Sequence, residues 1–144
     1  MVIGIIGENC AGKSTLADAI RDKLSAEVIT GKDYLRLAKS EAQATALFKE
    51  KLAQTPQDKA VVYVISETEQ LSLLPETAVR ILVNADLDTI KERFRARMRG
   101  NLPPPVEQML TRKHGMFDGT PHDIDYDGVS GDPDAVCEAL QKAF

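Results

Sequence analysis

A chain of 144 residues, 43% hydrophobic and 28% charged, has room for one buried core and is too short for two domains of ordinary size. Its formal net charge of −4 excludes a broad nucleic-acid-binding face, so any cationic site must be local. No apolar run reaches the length of a membrane span, and the two cysteines, Cys10 and Cys137, fit neither a metal spacing nor a disulfide framework; a reduced, cytoplasmic setting is expected.

Met1 to Gly7 is a short apolar run rich in β-branched residues and predicts a strand. It carries no charge ahead of its apolar part and ends in a polar loop, so it does not read as a signal peptide. That loop, Gly7-Glu-Asn-Cys-Ala-Gly-Lys-Ser14 with Thr15 following, fits G-x-x-x-x-G-K-[ST]. Gly7 and Gly12 accept backbone angles that a Cβ forbids, so the chain can curl round a phosphate. The loop N–H groups then make a concave anion site, strengthened by the positive end of the helix that follows. Gly7, Asn9, Cys10, Ala11, Gly12, Lys13, Ser14 and Thr15 are the candidate ATP contacts. Lys13 is expected to reach the β- and γ-phosphates and the Ser14 hydroxyl to ligate Mg²⁺.

Ser14 to Leu24 predicts a helix with Leu16, Ala19, Ile20 and Leu24 on one face. Ala26 to Thr30 reads as a second strand. Asp33 is placed to cap a long helix over about Leu35 to Ala53, with Leu37, Ala38, Ala44, Leu47, Phe48 and Leu52 as core positions. Ala60 to Ile65 is a third strand without polar alternation, the pattern of a strand covered on both faces. Gln70 to Pro75 is a connector and Val79 to Val83 a fourth strand. A helix over about Asp88 to Arg99 carries Leu87, Ile90, Phe94 and Met98 on one side. Asn101-Leu-Pro-Pro-Pro105 must break it. Val106 to Thr111 is a short helix, Lys113 to Pro121 irregular, Asp123 to Asp127 a fifth strand and Asp134 to Phe144 a closing amphipathic helix.

Strands alternating with helices predict an α/β fold, a three-layer α/β/α sandwich on a mostly parallel five-stranded sheet, as one domain over residues 1–144. Ligands on such sheets sit at the carboxyl ends of the strands. Beyond the phosphate loop those ends carry Asp33 and Arg36, then Ser66, Glu67 and Glu69. A carboxylate there can hold Mg²⁺ or orient an attacking group; equally, Asp33 can be a plain helix cap. Lys91, Arg93, Arg95, Arg97 and Arg99 crowd one helix, Arg93 and Arg97 on one flank of its apolar stripe and the other three on the opposite flank. Arg112 stands across the Pro-rich break. Cations flanking a mobile segment suit phosphoryl transfer, and a solvated cationic face is the alternative.

These residues resemble the small P-loop kinases: the nucleoside monophosphate kinases, of the adenylate and cytidylate type, and their relative shikimate kinase. Gly7 to Thr15 is the shared phosphate loop. Val28-Ile-Thr-Gly-Lys-Asp-Tyr-Leu-Arg36 looks like the adenylate kinase S-T-G-D-x-L-R segment with Lys32 added, and Arg36 matches the arginine that grips the acceptor phosphate. Ile81 to Arg97 looks like the strand and the E-R-x-x-x-R helix leading into that family's lid, with Arg93 and Arg97 as lid-base arginines. The family's aspartate pair after the lid is absent, Asp118 being the nearest single candidate, and Ser66-Glu-Thr68 replaces the shikimate kinase G-G-G.

The resemblance implies a P-loop NTPase fold with a reduced lid at about residues 99–121. It implies an ATP- and Mg²⁺-dependent phosphotransferase acting on a small anionic acceptor, foremost a nucleoside monophosphate. Lys13, Asp33, Glu67, Arg93 and Arg97 are then the catalytic candidates. Arg97 also touches ATP, and Asp33, Arg36, Glu67 and Arg112 bind acceptor. The loop near Ser130 to Pro133 would flank the adenine. ATP and a small molecule are the expected partners, with no nucleic acid or membrane, on a monomer or homodimer. A shikimate-kinase-like activity and a nucleotide-binding regulatory ATPase stay open. A GTPase switch lacks its N-K-x-D signature: Asn84-Ala-Asp86 has no lysine and the wrong spacing.

Overall fold

The computed structural model describes residues 1–143. Five strands, β1 (Val2–Ile6), β2 (Glu27–Thr30), β3 (Val61–Ile65), β4 (Val79–Asn84) and β5 (Ile124–Asp127), form one sheet in the order β2-β3-β1-β4-β5. Every neighbouring pair is parallel. β1 and β3, the central pair, are buried at every position, which is why their sequences show no polar alternation.

The period-two alternation of β1 splits the core. Ile3 and Ile5 face α1 (Lys13–Leu24) and α5 (Pro133–Ala143), packing with Leu16, Ile20, Val64, Ile81 and Leu140. Val2 and Ile6 face α2 (Glu41–Ala53), packing with Phe48, Tyr63, Ile65, Leu82 and Phe117. Each fully buried side chain of this size contributes roughly 2 kcal/mol. Between Ile3 and Ile5 on the α2 face, Gly4 leaves room for Leu74, whose Cδ1 would stand 2.5 Å from a Cβ there. Because all strands run one way, the loops after β1, β2, β3, β4 and β5 collect on one edge.

The expected helix over Leu35 to Ala53 is two pieces. Asp33–Leu37 is a 3₁₀ turn, the backbone straightens at Ala38, and α2 begins after Ser40, whose hydroxyl accepts from the Gln43 N–H at 3.1 Å. That hydroxyl ends the uncapped run. The break turns Tyr34 inward to stack on Phe48, ring centroids 5.0 Å apart. Asp33 therefore caps no α-helix. Leu37 and Leu47, expected in the core, are 45% and 40% exposed.

The helix after β4, α3 (Leu87–Arg97), is capped by Asp86 and stops two residues early. Arg99 and Gly100 take left-handed backbone angles and reverse the chain, leaving Met98 exposed. α4 (Pro104–Lys113) outruns the expected 106–111 at both ends, with a proline in its first turn where no N–H is needed. The segment after it is built of turns, with Phe117 buried against the sheet. A second 3₁₀ turn, Thr68–Leu73, occupies the connector after β3.

Candidate functional site

A cavity of about 520 Å³ opens at the carboxyl edge, between the phosphate loop and the loop following β5. Its floor is the turn from β1 into α1. The Gly7 N–H donates to the Ile65 carbonyl at 3.2 Å, fixing the loop to β3. Gly12 precedes α1 with φ +112°, and a Cβ there would meet the Gly128 carbonyl at 2.9 Å. The fit is tighter at Gly128, where a Cβ would fall 1.7 Å from the Ala11 carbonyl. Bare backbone on both sides lets the two loops touch.

Lys13 is the one charged side chain buried among the described residues, 7% exposed. Its ammonium donates to the Gly7 carbonyl, to the Glu8 carbonyl at 3.1 Å and to Ser66 Oγ at 2.8 Å. Burial pushes its pKa down to about 8; Cys10, Glu67 and Glu8 oppose that shift and Arg97 adds to it. A buried cation held only by neutral oxygens gains a strong partner when an anion enters. Ser14 and Thr15 are exposed at the start of α1, on the cavity.

Arg93 bridges the two walls. Nη1 donates to the Cys10 carbonyl at 3.0 Å and Nη2 to the Gly128 carbonyl at 2.7 Å. Arg97, one turn further, also lines the cavity but is exposed and makes no hydrogen bond or ion pair among the described residues. Arg95 pairs with Glu92 on the helix surface. The wall after β5 is shaped by Asp127. Its carboxylate accepts from the N–H groups of Val129 and Ser130 at 2.8 and 3.2 Å, which hold its pKa below the usual range. The Tyr126 hydroxyl closes the same turn on the Gly131 carbonyl at 3.2 Å.

Asn9, Cys10, Gly12, Lys13, Ser14, Thr15, Arg93 and Arg97 thus line one space. Gly7 and Ala11 support it from beneath. Asp33 and Arg36 do not join them. Both are exposed and line a smaller cavity of about 230 Å³ between β2 and α2. Arg112 is exposed on α4 beside Glu107 and Gln108, in a third cavity. Glu67 stands at the end of β3 in an ion pair with Lys113, 3.0 Å long.

Two contacts were hidden from sequence reasoning. Glu8, a variable position of the phosphate loop, accepts from the Gly115 N–H at 3.1 Å, and its other oxygen lies 3.0 Å from His114 Nδ1. The Cys10 thiol, carried on a residue with φ 65°, packs with Ile90 of α3 and Leu110 of α4. Neither pairing has a local signal, since the partners are far apart in the chain. The positive φ at a non-glycine residue is visible only in the structure.

No protein-family model matches the chain, and no curated protein matches its sequence. Solved structures do match its shape. A gluconokinase from Sinorhizobium meliloti superposes with a TM-score of 0.62 at 15% identity, covering 96% of this chain and 88% of that one. A shikimate kinase from Bacteroides thetaiotaomicron gives 0.62 at 16% identity, covering 99% and 97%. The YorR protein of Bacillus subtilis, solved with phosphorylated GDP, gives 0.65 at 16% identity, covering 99% and 95%. The fold is shared with that gluconokinase and that shikimate kinase: a parallel five-stranded sheet between helices, with the Gly7 to Ser14 loop joining β1 to α1. Among the described residues no helix is long and apolar enough to cross a membrane. No group of three or more His, Cys, Asp or Glu side chains among them is arranged to hold a metal ion.

Proposed function

We propose that the chain is an ATP-dependent phosphotransferase acting on a small-molecule acceptor, foremost a nucleoside monophosphate. The observation that carries this reading is Lys13: a buried ammonium, surrounded by neutral oxygens, at the mouth of a backbone cradle. A polyphosphate is the ligand that turns this costly arrangement into a favourable one.

In the proposed complex the N–H groups of residues 9–15 hold the β-phosphate region and Lys13 spans the β- and γ-phosphates. Arg97, exposed and without a partner among the described residues, can turn toward the transferring group and neutralise its oxygens. The Ser14 hydroxyl, exposed on the cavity, would hold Mg²⁺, a hard cation suited to oxygen donors, and the ion when bound would neutralise charge on the nucleotide. Arg93 holds the base-side wall against the phosphate loop. Arg36 and Asp33, in the cavity beside β2, are the acceptor-binding groups, with Glu67 orienting the acceptor from β3 and Arg112 closing from α4. Residues 99–121 form the lid of this single domain.

A hydroxyl-bearing acceptor is the second reading. Glu67 favours it, being close enough to Lys13 to affect its charge, whereas Arg36 lies in a separate cavity. A coupled ADP-release screen over monophosphates, shikimate, gluconate and other polyols separates the two. Turnover stimulated by no acceptor, with tight Mg·ATP binding, would point instead to a regulatory ATPase. Lys13→Ala is expected to cut turnover about 100-fold or more, measured in the same assay, with folding checked by circular dichroism.

A further inference from the structure

The strand-end loops and the end of α4 are joined by side chains of which the proposed phosphoryl transfer uses only Glu67. Three consecutive residues, Lys113 at the end of α4 and His114 and Gly115 after it, engage the carboxylates of Glu8 and Glu67 near Lys13. Lys113 Nζ is 3.0 Å from Glu67 Oε1. His114 Nδ1 is 3.0 Å from Glu8 Oε1, and the Gly115 N–H donates to Glu8 Oε2 at 3.1 Å. The Glu8 side chain is only 17% exposed, so both of its oxygens have given up most of their water. Gly115 has φ +84°, a conformation that costs other residues strain. Here it turns the N–H toward the loop. The backbone of Glu8 meanwhile accepts from Lys13, so one residue touches both the phosphate-binding ammonium and the arm.

The geometry points to Glu8 as a positioning residue that clasps the α4 arm to the phosphate loop before any nucleotide arrives. Its carboxylate fixes His114 and Gly115, and the neighbouring Lys113 then reaches Glu67. Beside the phosphate cradle Glu67 is thereby paired with an ammonium, and both oxygens of Glu8 have partners on the arm. Without the clasp both carboxylates would lose these partners beside the cradle. This inference rests on reading residues 99–121 as the lid, but not on the identity of the acceptor or on catalysis.

The Gly115 amide is its own reporter. In the nucleotide-free protein, residue-resolved hydrogen exchange by NMR is expected to show Gly115 protected. Glu8→Ala should speed its exchange tenfold or more while the amides of β1 and β3 stay protected. Glu8→Gln keeps an acceptor for the Gly115 N–H and should restore most of the protection, which a space-filling role alone would not require. Equal Gly115 exchange in wild type and Glu8→Ala overturns the inference, as does a wild-type rate matching an unstructured peptide. If Glu8→Ala lowers protection throughout the sheet, the Lys113→Ala/His114→Ala double variant decides from the other side. Faster exchange confined to residues 113–119 supports the clasp, and unchanged exchange there overturns it. Because nucleotide is left out, a chain that binds no ATP could still pass, and a working kinase could still fail.

Discussion

The phosphate loop and the α4 arm touch through Glu8 and Cys10 and are built in opposite ways. The loop is held by backbone: Gly7 to β3, Gly12 and Gly128 in mutual contact, Ala11 beneath. The arm is held by side chains: Lys91 to Glu107, Lys113 to Glu67, His114 to Glu8, and a small apolar seam around Cys10 and Leu110. Substitution should therefore damage the two regions through different physics. In the loop an added methyl is a collision with main chain that cannot move. In the arm a deleted charge is a loss shared with water.

The largest test of that difference is Gly128→Ala. The new Cβ would sit 1.7 Å from the Ala11 carbonyl, so the loops must part. We expect a loss of about 3 kcal/mol in stability, read by thermal denaturation, together with loss of Mg·ADP binding by calorimetry. A variant with unchanged melting and affinity would show that the walls need not touch. Next is a pair on one helix. Arg93→Ala removes two charge-assisted bonds to backbone carbonyls and should cost about 2 kcal/mol. Arg97→Ala, exposed and unpaired, should leave unfolding within about 0.5 kcal/mol of wild type and act on turnover. Equal destabilisation by both would erase the distinction between a wall residue and the proposed catalytic cation.

A proton tests the loop itself. With its pKa lowered from 10.5 to about 8, Lys13 is charged below about pH 8 in folded and unfolded chains alike, and its burial penalty is then fully present. As pH rises from about 8 to 10.5 the folded chain releases the proton first, and this group's contribution shifts in favour of folding. A bound polyphosphate should reverse the shift. ADP titration near about pH 9, in buffers of different ionisation enthalpy, should report proton uptake that vanishes near about pH 6.5. The smallest effect belongs to the arm: Lys113→Ala should cost under about 1 kcal/mol by denaturant unfolding.

The same contrast governs what could be read in advance. The cradle after β1 was legible because its tight turn requires glycines at fixed local spacing, with Lys13 directly after the second. The parallel sheet was legible because β1 and β3 are apolar at every position. The break at Ala38 was not: alanine-rich sequence favours helix, and only the stacking of Tyr34 on Phe48 and the Ser40 cap decide otherwise. Arg93 and Arg97 are the same residue type on the same helix, yet one is spent on carbonyls and the other has no partner among the described residues. No pattern of spacing separates them, because the difference lies in where Gly128 arrives from far along the chain. Glu8 and His114 are invisible to sequence for the same reason.

The central place of β1 has a consequence for assembly. Its neighbours in the sheet begin at Val61 and Val79, about sixty and about seventy-five residues further on, so this strand must wait for distant partners. Long loops have to close before it gains a single ladder bond. The cradle carried on its tip therefore takes shape late, and until then the most apolar stretch of the protein stands exposed to whatever else is folding nearby.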